Sequence, residues 1–204
     1  PPYSSAASDV YKRQGIKSGD SEDATLILLE PETVIAGLFT SSMTRSAPVI
    51  DCQNKIGINV ANTGAAIIIN SGNANAFTGR HGELAVREII AELSTRVQIP
   101  VERIFSSSTG VIGELLEYQK IIDVFDHLVD SLHGSKIENA ARAIMTTDTF
   151  PKGSSVKVSS SGGKITISGI AKGSGMIAPN MGTMLVYIFT CLLYTSPSPR
   201  DRLK

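Results

Sequence analysis

The residues best suited to covalent chemistry lie near the end of the chain, in GIAKGSGMIAPNMGTML, residues 169–185. A loop of small residues carries Gly182 and Thr183 to the head of an apolar strand expected from Met184 to Phe189, with Lys172 upstream. The glycines leave room for a backbone or a ligand to approach, and Pro179 fixes one φ angle just before the threonine. A hydroxyl at the start of a buried strand, with a lysine nearby, suits a covalent acyl carrier. It suits an ordinary glycine-rich connection equally well.

Three further polar loops could complete such a site. SSSTGVIG, residues 106–113, sets hydroxyls beside glycine at a strand end. A backbone N–H and an O–H placed together there would stabilise a tetrahedral oxyanion; a plain polar turn has the same look. The Gly-Lys-Ser/Thr ending of a phosphate loop is missing. MTTDTFPK, residues 145–152, closes a helix in a cluster of hydroxyls. Asp148 and a threonine could hold the amine and carboxylate of a small substrate, or cap and turn for local reasons. NSGNANAFTG, residues 70–79, offers three asparagines to a pocket, although satisfying their own turns is the simpler account. His81, His127 and His133 have no Cys or acidic partner at ligand spacing and read as surface residues.

Alternating strands and helices must position these loops. Thr25–Glu30 and Val34–Thr40 read as short strands around a Pro31-Glu32 turn, and GAAIIIN (64–70) as a strand covered on both faces. Val86, Ile89, Ile90, Leu93 and Val97 fall at helical spacing within 83–98, with Pro100 beyond the end. Val101–Ser108 is the next strand. Leu116–Leu132 reads as one helix closed by Gly134. A third helix, 139–145, follows a capping box at Ser135–Glu138. Val156–Ser160 and Lys164–Ser168 make a hairpin about Ser161-Gly162-Gly163. The expected fold class is α/β, a layered domain.

Composition narrows the function classes. The 204 residues are 42% hydrophobic and 19% charged, enough to build a packed core. Nineteen basic residues against nineteen acidic ones, without a basic block, give nucleic acid no electrostatic footing. The apolar run 184–194, broken by Thr190, is too short to span a bilayer, so no membrane is expected. Cys52 and Cys191 form neither a metal spacing nor a disulfide framework, which fits a reducing cytoplasm.

The two ends read differently from the rest. Residues 1–14 and 191–204 are rich in Ser, Pro, Tyr and Arg, lack periodicity, and resemble translated sequencing adapter. They are treated as non-native tails and left out of the fold expectations. Five basic residues and two acidic ones go with them, leaving residues 15–190 mildly acidic.

Taken together and in order, the motifs resemble one family. GIK from Gly15, AGLFT at 36–40, APV at 47–49, NSGNANAFTG, STGVIG at 108–113, AIMTTDTFPK at 143–152 and GIAKGSGMIAPNM-x-TML are similar to the bifunctional ornithine acetyltransferase/N-acetylglutamate synthase family of arginine biosynthesis. The resemblance covers 15–190 and corresponds to the amino-terminal half of such a protein.

The resemblance implies a sandwich of layers completed by a second chain. Self-cleavage between Gly182 and Thr183 would separate an α chain, 15–182, from a β chain beginning at 183–190. The pair would assemble as an α2β2 heterotetramer. Thr183 would be the nucleophile carrying acetyl from N-acetylornithine to glutamate, with Thr109 and Gly110 as oxyanion hole and Thr146 and Lys172 as substrate contacts. No cofactor or metal is implied; acetyl-CoA would enter only as a substrate of a second acetyl-transfer activity. The chemistry is sound, because cutting before Thr183 frees an α-amine of pKa about 7.7–8.0 that can act as its base.

Two departures qualify the expectation. Gly182 stands where the family usually has alanine, so cleavage is expected to survive but to run more slowly. Most of the β chain is missing, so this chain alone is expected to be inactive. Two rivals fit the same residues: a self-processing N-terminal-nucleophile aminopeptidase or amidase, and a non-catalytic module that binds a small polar metabolite.

Overall fold

A computed structural model describes residues 6–12, 22–133, 137–160, 163–174 and 184–191. Among these residues, two sheets carry the fold. The first contains β1 (Ala6–Lys12), β2 (Glu22–Leu29), β3 (Ala65–Asn73) and β4 (Ile104–Val111) in that spatial order. β1 and β3 flank β2 antiparallel, whereas β3 and β4 run parallel. The second sheet is an antiparallel meander of β5 (Lys152–Ser160), β6 (Gly163–Lys172) and β7 (Leu185–Thr190). The helices are α1 (Ala47–Lys55), α2 (Gly79–Val97), α3 (Gln119–Ile122), α4 (Phe125–Asp130) and α5 (Ile137–Ala143).

The period of two along the first sheet builds a core on each face. Leu26, Ala66, Ile68 and Ile104 meet Val86, Ile89, Ile90 and Leu93 of α2, with Phe125 and Leu128 of α4. Ile27, Leu29, Ala65 and Ile69 face the other way, onto Ala140, Ala141 and Ile144 in and after α5 and Ile170 of β6. Leu185, Tyr187 and Phe189 of β7 pack on that second core, so the two sheets and α5 share it. Each fully buried aliphatic side chain is worth about 1.5–3 kcal/mol, and these two clusters fix which ends of the strands come together. The run 64–70 is thus covered on both faces, as its unbroken apolar character predicts.

α2 begins four residues before the expected start and ends at Gln98, which takes a left-handed conformation (φ 56°) two residues before Pro100. Val101–Arg103, expected as strand, is a single 3-10 turn that feeds β4. The hairpin of β5 and β6 is longer than expected, reaching back to Lys152 and forward to Lys172; Ser161 and Gly162 lie outside the described residues, as do Gly134 and Ser135 of the two predicted caps.

Two expectations are corrected. Val34–Thr40 forms no strand, and Val34 and Leu38 are exposed. Both edges of β2, its expected hairpin partner, are already occupied by β1 and β3, so the segment has no ladder to join. β1 falls within the first fourteen residues, which the sequence reading leaves aside. Leu116–Leu132 is not one helix but α3 and α4, separated at Asp123-Val124. Ile121, Ile122, Val124 and Phe125 are all buried, and four burials in five residues exceed what one face of a straight helix can cover.

Candidate active site

Thr109 lies near the end of β4, opposite Ser71 and Asn73 of β3, where the register shifts at Gly72/Asn73. The adjoining Gly110 has φ 137°, and a Cβ there would stand 2.2 Å from the Gly72 carbonyl carbon. Only glycine fits so close an approach. Lys172 is the last residue of β6, paired with Leu185 of β7, and its neighbour Ala171 pairs with Lys152 of β5. Thr146 follows α5, on the turn that leads to β5.

The structure brings three of the predicted residues into contact. Lys172 Nζ donates to Thr109 Oγ1 at 2.7 Å and to Thr146 Oγ1 at 2.7 Å. Lys172 is 4% exposed and Thr109 5%, whereas Thr146 is exposed, so the cluster opens to solvent on the Thr146 side. Among the described residues, these hydroxyls take two of the three ammonium N–H donors. Burial lowers the Lys172 pKa from its ordinary value, Asp148 opposes that shift, and Lys152 adds to it.

Asp148 is bonded within the protein on both carboxylate oxygens. Its Oδ1 accepts from Lys152 Nζ and from the Gly173 N–H at 2.9 Å, and its Oδ2 accepts from the Thr146 N–H at 3.4 Å. Of the two readings open for Asp148, these bonds favour the local one: the carboxylate is engaged by the protein itself. Burial pushes its pKa up, but the bonds from Lys152, Gly173 and Thr146 outweigh this and hold it below the usual range. The spacing Asp148-Lys152, i to i+4, is the one sequence signal that could have revealed the pairing.

The asparagine loop is self-satisfied, as the simpler account predicts. Asn70 Nδ2 donates to the Asn73 carbonyl, Asn73 Nδ2 to that of Glu114, and Asn75 Nδ2 to that of Gly82. Thr78 Oγ1 donates to Asn75 Oδ1, and Ser108 Oγ to Asn70 Oδ1. These bonds build a frame beneath β3 and β4 rather than a pocket lining. Ser71, directly across from Thr109, donates to the Ala143 carbonyl at 2.6 Å and so ties β3 to the end of α5.

His127 and His133 are exposed, as expected, but His81 is half-buried, with Nε2 3.1 Å from the Leu116 carbonyl oxygen and its ring beside Tyr118. Cys52 is buried and donates to the Ser106 carbonyl; burial pushes its thiol up to about 12, so it is no nucleophile. Gly182 and Thr183, the predicted cleavage pair and nucleophile, lie outside the described residues. Among the described residues, no helix is long and apolar enough to cross a membrane.

The cluster can do definite chemistry. A buried cation beside a hydroxyl whose lone pair is already engaged favours negative charge on a bound oxygen. The sequence model of the ArgJ family matches residues 10–201. The arginine biosynthesis bifunctional protein ArgJ of Ruegeria pomeroyi is 52% identical over 176 residues, 86% of this chain and 43% of the relative. The protein of the same name from Bartonella henselae is 42% identical over 174 residues, 85% of this chain and 42% of the relative. The chain thus spans less than half the length of these relatives.

Among solved structures, ArgJ from Bacillus halodurans superposes with a TM-score of 0.77 at 31% identity, covering 89% of this chain and 91% of that one. The ornithine acetyltransferase of Mycobacterium tuberculosis, solved with ornithine, gives a TM-score of 0.75 at 28% identity, covering 89% and 93%. With a family match over nearly the whole sequence and a shared α/β fold, this chain belongs to the ArgJ family.

Proposed function

We propose that the complete protein moves acetyl from N-acetylornithine to glutamate through an acetyl ester on Thr183, after cutting itself between Gly182 and Thr183. The observation that carries this reading is the convergence of Lys172, Thr109 and Thr146, brought together from three separate segments. An ornithine complex of a relative with the same fold supports the substrate class. Chain lengths support the cut: this chain covers about nine-tenths of each solved chain but only about two-fifths of each curated relative. A protein divided once near its middle presents that pattern.

Each step balances with groups on this chain. Thr183 Oγ attacks the Gly182 carbonyl, the peptide becomes an ester, and water releases a carboxylate at Gly182 and an α-amine at Thr183. That amine then accepts the Oγ proton as Oγ attacks the acetyl carbonyl of N-acetylornithine. The proton passes to the departing ornithine amine, leaving acetyl on Thr183 for the glutamate amine to remove. Thr109 and Gly110 stabilise the oxyanion of each tetrahedral intermediate, an effect worth about 3–4 kcal/mol per donor. Lys172 and Thr146 bind the substrate. No cofactor or metal takes part in this scheme. Assembly with a β chain into an α2β2 heterotetramer, and a cytoplasmic location, belong to the same proposal.

The test is intact mass. The chain is continued after Thr190 with the carboxy-terminal half of a relative and made beside its Thr183→Ala twin. Two fragments dividing at Gly182/Thr183 in the parent alone, followed by an acetylated Thr183 fragment after incubation with N-acetylornithine, are expected. One uncut mass in both proteins overturns the reading.

A further inference from the structure

The turn after α5 and the end of β6 are joined by three successive bonds. Thr146 accepts from Lys172, Thr147 Oγ1 donates to the Ser174 carbonyl at 3.4 Å, and Asp148 accepts from the Gly173 N–H at 2.9 Å. Asp148 is the hub of this seam, because it also accepts from Lys152 at the start of β5 and from the Thr146 N–H. One buried carboxylate therefore gathers donors from the turn, from β5 and from the end of β6. Thr146 itself carries one of those donors, and Lys172 sits next to another.

We propose that Asp148 is a positioning residue, which sets the Lys172 ammonium between Thr109 and Thr146 without itself touching substrate. This rests on the acyl-transfer reading of the site. A lysine on a four-carbon stem has many rotamers, and holding its head between two hydroxyls requires that both ends of the seam be fixed. The Gly173 bond fixes the backbone just beyond Lys172, and the Thr146 N–H bond fixes the hydroxyl on the opposite side. The charged groups bearing on Lys172 are Asp148, which favours its ammonium form, and Lys152, which disfavours it. Lys152 also engages Asp148, so the three form one electrostatic unit.

The test reads Lys172 directly in this chain. Side-chain 1H–15N spectra of the lysine ammonium groups are followed against pH, with the Lys172 signal assigned by its loss in Lys172→Arg. Asp148→Asn keeps the size of the side chain and removes its charge; the Lys172 midpoint is expected to fall and the Gly173 amide proton to move upfield. Lys152→Gln removes the repelling cation, and the Lys172 midpoint is expected to rise. Should Asp148→Asn fail to fold, Asp148→Glu, which keeps the charge and moves the carboxylate by one methylene, decides: the Lys172 ammonium 1H and 15N shifts are expected to leave the parent's values. Lys172 ammonium shifts and midpoints equal to the parent's in every folded Asp148 variant overturn the proposal. Failure of the transfer reading shows separately, as absence of acyl-threonine, and leaves these midpoints unchanged.

Discussion

The Lys172 ammonium and the Thr109 hydroxyl, 63 residues apart in sequence, lie 2.7 Å apart and tie the two sheets together. Both are buried, so the bond cannot be replaced by bulk water without opening the site. Thr109→Val keeps the shape and removes the acceptor. The expected loss is about 1–3 kcal/mol in urea denaturation, the cost of leaving a buried donor short of a partner. Thr146→Val removes the other acceptor at an exposed position, where water can take over, and a smaller loss is expected. Equal losses for the two variants would mean that burial at Thr109 does not matter.

Asp148 gives the site an acid limit. Burial alone would raise its pKa, but the bonds from Lys152, Gly173 and Thr146 bring the folded value below the unfolded one. A depressed carboxylate stabilises the fold fully above its unfolded pKa, about 3.9, and that contribution is lost as pH falls through the folded value. Between about pH 5 and pH 2 the parent should therefore lose more stability than Asp148→Asn. The measurement is denaturant midpoint against pH for the two proteins. Parallel curves would show that the carboxylate contributes nothing to acid stability.

How much of this was legible in the sequence depends on whether the signal was local. β3 could be read because Ala65–Ile69 is apolar at every position, and α2 because its buried residues keep helical spacing. Thr109, Gly110, Thr146 and Lys172 could be singled out from their loops, but the Lys172 bonds to Thr109 and Thr146 span 63 and 26 residues. Only the meeting of β4, β6 and the turn after α5 makes them one cluster. The two readings of Asp148 stay open in the sequence for the same reason: Gly173, its partner just past β6, is 25 residues away. The break at Asp123-Val124 escaped notice because Ile121, Phe125, Leu128 and Leu132 fit a continuous helix equally well. Burial of Ile122 and Val124 as well, on divergent faces, is a demand of tertiary packing.

Gly110 is expected to tolerate no side chain. In Gly110→Ala the new Cβ would lie 2.2 Å and 2.4 Å from the carbon and oxygen of Gly72 and 2.6 Å from the Asn73 nitrogen, all of them backbone atoms. Its φ of 137° is strained for any L-residue besides. β3 and β4 would have to separate where they carry Thr109, and a loss of about 2 kcal/mol or more is expected. Hydrogen exchange at Ser71, Asn73 and Thr109 should quicken locally. An alanine variant as stable as the parent would show that the bulge can shift freely.

Arg103 anchors the other end of the same two strands. It is 2% exposed, in the 3-10 turn before β4, where burial disfavours its charge and lowers its pKa from the usual value. The guanidinium donates through Nε to the Gly64 carbonyl, through Nη1 to that of Ile58 and through Nη2 to that of Thr33. One planar fork thus joins the start of β3 to the segment after β2, the region with no strand of its own. A lysine cannot span three carbonyls, since its ammonium is a compact point charge. Arg103→Lys is therefore expected to cost about 2–3 kcal/mol, and to cost no less than Arg103→Met, which avoids burying a charge. Urea midpoints for both variants, with amide exchange across residues 57–64, test this. A lysine variant within about 0.5 kcal/mol of the parent would show that charge alone, and not the fork, holds these loops.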